Sequence, residues 1–142
     1  MRRFKRTVKA IVIVLACAAC AAFALLIAAS PVFSGGEGYE LYYGASSSSL
    51  TKQTDSPLRD KLLSGGAAGE SVRYAGDCAE ELAASFRAEL LFTERAGDVV
   101  NYYYYSPLLK GGVNLFGYTV NLHIAVREAQ TAAGTPLIFG GF

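Results

Sequence analysis

Metal and thiol chemistry have little to draw on in this sequence. Among its 142 residues there is one histidine, His123, and there are three cysteines. Cys17 and Cys20 stand one helical turn apart inside an apolar run, where cysteine behaves as a small hydrophobe. Cys78 is the only cysteine left outside that run, so no intrachain disulfide framework is expected there. A zinc site would have to lean on carboxylates at no recognisable spacing, and neither a metal nor a cofactor is expected. The serine-hydrolase elbow, the phosphate-binding Gly-rich loops, the HExxH helix and the dinucleotide fingerprint are all missing. The one adjacent acidic pair, Glu80-Glu81, projects in directions about 100° apart on a helix, which suits a helix N-terminus and not paired-carboxylate catalysis. There is no internal repeat and no heptad pattern.

Positive charge is scarce beyond the first nine residues. Arg2, Arg3, Lys5, Arg6 and Lys9 open the chain, leaving 8 basic against 12 acidic residues, a balance of −4, for everything that follows. Phosphate neutralisation needs clustered Lys and Arg, so nucleic acid is excluded as an expected partner. The segment "AIVIVLACAACAAFALLIAA", residues 10–29, carries no charge, and a helix of that length spans roughly 30 Å, the thickness of a hydrocarbon core. Basic residues ahead of it predict a cytoplasmic segment over 1–9 and an extracytoplasmic remainder. Two readings stay open. The run is an uncleaved single-pass anchor, or it is a signal peptide cut after "VFS", before Gly35, releasing a secreted protein. A lipoprotein site at Cys17 or Cys20 is disfavoured because apolar residues continue past both.

Residues 30–71 read as linker and irregular segment, with one short tyrosine-rich strand in "YELYYG" and a polar loop in "ASSSSLTKQTDSP". "LRDKLLSGGAAGES" holds one short helical turn, ended by glycines. Residues 72–142 form the expected small extracytoplasmic α+β domain. Asp77 with Glu80 three residues on is a capping-box pattern, and Ala79, Leu82, Ala83, Phe86 and Leu90 keep helical spacing. Two β-rich runs flank Ala96-Gly97-Asp98, a hairpin signal, and Pro107 ends the second. A second hairpin is expected at Phe116-Gly117, with a long strand from about Thr119 to Arg127, and "GTPLIF" reads as a last short strand. One helix on an antiparallel sheet gives the fold class α+β.

Alternation along the long strand sends Val120, Leu122, Ile124 and Val126 to the core, and Asn121, His123, Ala125 and Arg127 to the other face. Asn121, His123 and Arg127 are therefore candidates for a polar face that binds an anion or a partner, although an ordinary solvated sheet face has the same pattern. In "NYYYYSP" the alternate pair Tyr103 and Tyr105 forms a candidate aromatic patch, since tyrosine offers rigid apolar area with a polar tip. A catalytic histidine needs a nucleophile, and Cys78 is the one to test; nothing beyond the presence of both residues supports that dyad.

The stretches "VNLHIAVRE" and "AGTPLIFGGF" resemble the C-terminal part of the YwmB-like family, secreted or membrane-anchored proteins of endospore-forming and related Gram-positive bacteria. The matching positions are Asn121, Leu122, Ile124, Ala125, Arg127, Gly134, Thr135, Pro136 and Leu137. The resemblance implies a fold similar to half of the TATA-box-binding protein, a curved antiparallel sheet with helices, and no established activity; the fold name does not imply DNA binding. The N-terminal part, with its Ser-rich stretch, does not map onto a full-length member. The expected function is a non-enzymatic cell-envelope interaction module, held by one N-terminal helix and binding a protein or another envelope component. The alternative is a secreted or anchored enzyme using Cys78 and His123.

Overall fold

The computed structural model describes residues 2–44 and 50–140. Its first element, α1 (Arg2–Ala29), runs without glycine or proline until Pro31 stops it. The part from Arg6 to Ala29 has a mean hydropathy of 3.0 over its most apolar window, none of which is buried. By length and composition it suffices to cross a membrane.

Among the described residues, nine strands and two short helices follow. They are β1 (Glu37–Tyr42), β2 (Thr51–Gln53), α2 (Pro57–Ser64), β3 (Gly69–Ala75), α3 (Ala79–Ser85), β4 (Glu89–Ala96), β5 (Val99–Tyr105), β6 (Val113–Leu115), β7 (Tyr118–Val120), β8 (Leu122–Arg127) and β9 (Gln130–Thr135). Seven strands form one sheet in the order β2-β1-β3-β9-β8-β5-β4, antiparallel at every pairing, and β6–β7 is a separate hairpin. The class is α+β with an open antiparallel sheet.

Several expectations are corrected. Residues 30–71 are not a linker: they hold β1, β2, α2 and the start of β3, all built into the domain. Part of the Ser-rich loop, residues 45–49, lies outside the described residues. The helical turn expected in "LRDKLLSGGAAGES" does form, as α2, which starts on Pro57, whose missing N–H costs nothing at that position, and ends at Gly65 in the left-handed conformation with φ 76°. The expected strand in "GTPLIF" is displaced upstream to β9. Proline cannot extend a ladder, so the strand closes at Thr135 and residues 136–140 leave the sheet.

Both hairpins form where their turn residues place them, with Ala96 opposite Val99 and Leu115 opposite Tyr118. The helix expected after Asp77 is α3. Cys78 and not Asp77 sits at its N-cap, while Asp77 Oδ1 accepts the Ala79 N–H at 3.2 Å. Ala79 and Ala83 are buried and Leu82 and Phe86 half-buried, so small residues let α3 lie close on the sheet; Leu90 belongs to β4 and is exposed. The core between sheet and helix contains Phe33, Leu41, Val72, Leu122, Ile124, Ala133 and Tyr104.

Candidate functional site

His123 lies at the centre of a row of cross-strand neighbours: Glu40, Ser71, Gly134, His123, Tyr103 and Phe92, one from each of six adjacent strands. These residues share the sheet face opposite α3. The expectation that this face is solvated is wrong at its middle. His123 is 8% exposed and Asn121 0%. The reason is the tail that leaves β9. Its Ile138 N–H donates to His123 Nδ1 at 3.3 Å, its Gly140 N–H donates to the Tyr42 hydroxyl at 3.2 Å, and Phe139 meets the Tyr42 ring edge-on. Residues 136–140 thus roof the face.

With Nδ1 accepting, Nε2–H donates to Asn101 Oδ1 at 3.0 Å, so both ring nitrogens are satisfied in the neutral form. Burial pushes the His123 pKa down to about 4 from its ordinary 6.5. Above pH about 6.5 the ring is neutral whether the chain is folded or not, and its contribution is complete. Between about 6.5 and about 4 the unfolded chain takes up a proton that the folded chain refuses, so stability falls as pH falls, by about 3 kcal/mol across the window. His123→Gln is expected to flatten that part of the stability–pH curve, read from urea midpoints at pH 7.5, 6 and 5. An unchanged slope would contradict the assignment.

The other two members of the expected polar face are also accounted for. Asn121 separates β7 from β8, breaking the expected continuous strand from Thr119 to Arg127. Its side chain accepts the Ser106 N–H at 2.7 Å and donates to the carbonyls of Ser106 and Leu109 at 2.8 and 3.1 Å. Arg127 reaches Asp98 of the β4–β5 turn, with Nε 3.2 Å from the carboxylate. Asn121 and His123 are therefore buried and bonded within the fold, while Arg127 meets Asp98 at the exposed surface, so the three do not form one open patch.

Tyr103 is half-buried in a stack, with ring centroids 4.5 Å from both His123 and Phe92, and its hydroxyl donates to Glu94 at 3.2 Å. Tyr105 is exposed. The aromatic row continues from Phe92 to Phe116 and Tyr118 on the β6–β7 hairpin, 5.8 and 6.0 Å away. Phe116 is 88% exposed and has φ 53°, a left-handed conformation unfavourable for a bulky residue.

Cys78 lies on the other side of the sheet. Its N–H donates to Thr131 Oγ1 at 3.2 Å, and it borders a cleft of about 550 Å³ between the start of α3 and β5. Asp77, Glu80 and Glu81 form one wall, and Tyr102, Tyr104 and Leu90 form the other. Tyr102 and Tyr104 point away from Tyr103, on which His123 stacks, so the sheet itself separates Cys78 from His123. The geometry removes the proposed dyad. Sequence reasoning missed this cleft, whose one local sign was the run of acids at 77, 80 and 81. Among the described residues no group of His, Cys, Asp and Glu could hold a metal ion.

A third cluster surrounds the exit of α1. Glu70, 2% exposed, accepts the Val32 N–H on one oxygen and the Lys61 ammonium on the other. Lys61 also donates to the Ser30 carbonyl at 3.0 Å, and the Phe33 N–H donates to the Tyr39 hydroxyl at 3.4 Å. Burial, then the Glu70 charge, raise the Tyr39 pKa and keep the phenol neutral. Phe33, 3% exposed, meets Phe86 edge-to-face at 5.5 Å.

The two stretches that carry the YwmB-like resemblance are neighbours in space. His123 pairs with Gly134, and the Thr135 hydroxyl donates to the Asn121 carbonyl at 2.8 Å. A Cβ on Gly134 would come within 2.8 Å of Ile138, so the glycine admits the roofing tail. Comparison with protein-family models, curated proteins and solved structures found no match for this chain.

Proposed function

We propose that this chain is an extracytoplasmic envelope protein whose N-terminal helix is retained as an anchor, and that its domain acts as a non-enzymatic interaction module. The observation that carries this reading is the exit of α1. Residues 30–33 are part of the folded domain, with Phe33 in the core and Ser30 and Val32 bound by Lys61 and Glu70. A cut before Gly35 would strip Phe33 from that core. The basic residues before α1 favour a cytoplasmic N-terminus and an outer domain. Kinship with the YwmB-like family and the half-fold it implies belong to the same proposal, as does a role in the cell envelope or in sporulation.

The surface favoured for contact with a protein partner is the aromatic end of the roofed face, Phe116 and Tyr118. A phenylalanine held exposed in a left-handed conformation is poorly explained by folding alone. Phe116→Asn relieves strain of about 1 kcal/mol and loses a ring contact of similar size, so stability is expected to change by less than about 1 kcal/mol. The test is photo-crosslinking in living cells from position 116, with exposed position 84 on α3 as control, alongside external protease treatment. Capture of one protein from 116 alone, by a domain accessible outside, is expected. Equal or absent capture, or a protected domain, would overturn the reading.

A further inference from the structure

We propose that the cleft between α3 and β5 is a binding site for an organic cation, namely the ammonium or guanidinium group of a lysine or arginine side chain on a protein partner. This site is independent of the anchor and lies across the sheet from the aromatic hairpin. Four features converge on a cation. Asp77, Glu80 and Glu81 supply three carboxylates, and none of them has an ion-pair partner among the described residues. No basic side chain lines the cleft. The facing wall is made of Tyr102 and Tyr104, whose rings stack with centroids 6.4 Å apart and offer the aromatic surface that organic cations prefer. The fourth feature is Tyr104 itself. The residue is 7% exposed, and its hydroxyl, which has no hydrogen-bond partner among the described residues, opens into the cleft. Here the oxygen is left to accept from a donor that enters the cleft.

The volume, about 550 Å³, admits an extended basic side chain with part of its backbone. Anions are repelled by the three carboxylates. A metal ion is a poor fit, since no group of ligating side chains converges at metal spacing among the described residues. An alkyl stem ending in N–H donors matches the site: the stem lies on Leu90 and the rings, and the head donates to carboxylates and to the Tyr104 oxygen. Burial, then Tyr102, Glu80 and Asp77, raise the Tyr104 pKa, which keeps the phenol neutral while the acids face it.

The test is a titration of the full chain in detergent, followed by NMR of labelled tyrosines and of the amides of residues 78–81. The probes are N-acetyl-lysine methylamide, N-acetyl-arginine methylamide, n-butylamine and the neutral N-acetyl-norleucine methylamide. Saturable shifts confined to Tyr102, Tyr104 and residues 78–81 are expected with the two basic amides and not with norleucine. Butylamine is expected to bind about tenfold more weakly than the lysine amide if the cation belongs to a protein, because it lacks the flanking peptide contacts. Butylamine binding equal to or tighter than the lysine amide would overturn the protein source and assign the site to a free amine. Glu80→Gln with Glu81→Gln, both at exposed positions, is expected to weaken lysine-amide binding at least about tenfold, and Tyr104→Phe about fivefold. Binding of norleucine equal to that of lysine, or no loss in the Gln variant with its fold intact, would overturn the site.

Discussion

Glu70→Ala is expected to cost about 3–5 kcal/mol of folding stability, the loss typical when one member of a buried ion pair is removed. Glu70 and Lys61 are both buried, and the pair is satisfied on every side: Val32 N–H on the carboxylate, the Ser30 carbonyl on the ammonium. Removing the carboxylate leaves the ammonium without its counter-charge and the Val32 N–H without its acceptor. The effect therefore comes from what is stranded and not from the attraction itself. Lys61→Met combined with Glu70→Gln strands no charge, and is expected to be less destabilised than Glu70→Ala. Urea denaturation of the detergent-solubilised chain reads both. A loss below about 1 kcal/mol in Glu70→Ala would mean that water reaches the pair and that the exit of α1 is loosely held.

Phe33→Ala is expected to cost about 3–5 kcal/mol, as large-to-small changes of buried aromatic residues do. Phe33 stands four residues beyond the end of α1 and packs against Phe86, just beyond α3, so one ring links the exit of the N-terminal helix to α3. Hydrogen exchange gives the sharper readout. Faster exchange at the α3 amides in Phe33→Ala is expected, because the ring is the contact that α3 loses. Unchanged exchange there, together with a small loss of stability, would show that Phe33 fills no essential space.

How far such features are legible in sequence depends on how local their causes are. The hairpins at Gly97 and at Phe116-Gly117, and the helix after Asp77, follow from turn and capping residues within a few positions of themselves. β3 and β9 carry no such mark. Ser71, Thr131, Gly134 and Thr135 are buried by material on both sides of the sheet, so alternation of apolar and polar residues is lost where it would announce a strand. The same non-local cause misled the reading of His123. Its polar neighbours at 121 and 127 imply solvent, and the tail of residues 136–140 replaces that solvent with an amide donor. The acidic cleft needed two facts absent from any short stretch: that α3 lies over β8 with β5 alongside, and that Tyr102 and Tyr104 turn toward its first turn. The apolar run was legible at once, but the use of the residues after it was not, because Phe33 meets Phe86 across more than fifty positions of chain.

On the proposed reading, the domain folds around the exit of its N-terminal helix and keeps that helix. Intact-mass measurement of the protein recovered from cell membranes and from the medium tests it most directly, with Edman sequencing of each form. A single membrane-bound form whose mass includes residues 10–34 is expected. A soluble form beginning at Gly35, with the same urea midpoint as the full chain, would contradict it.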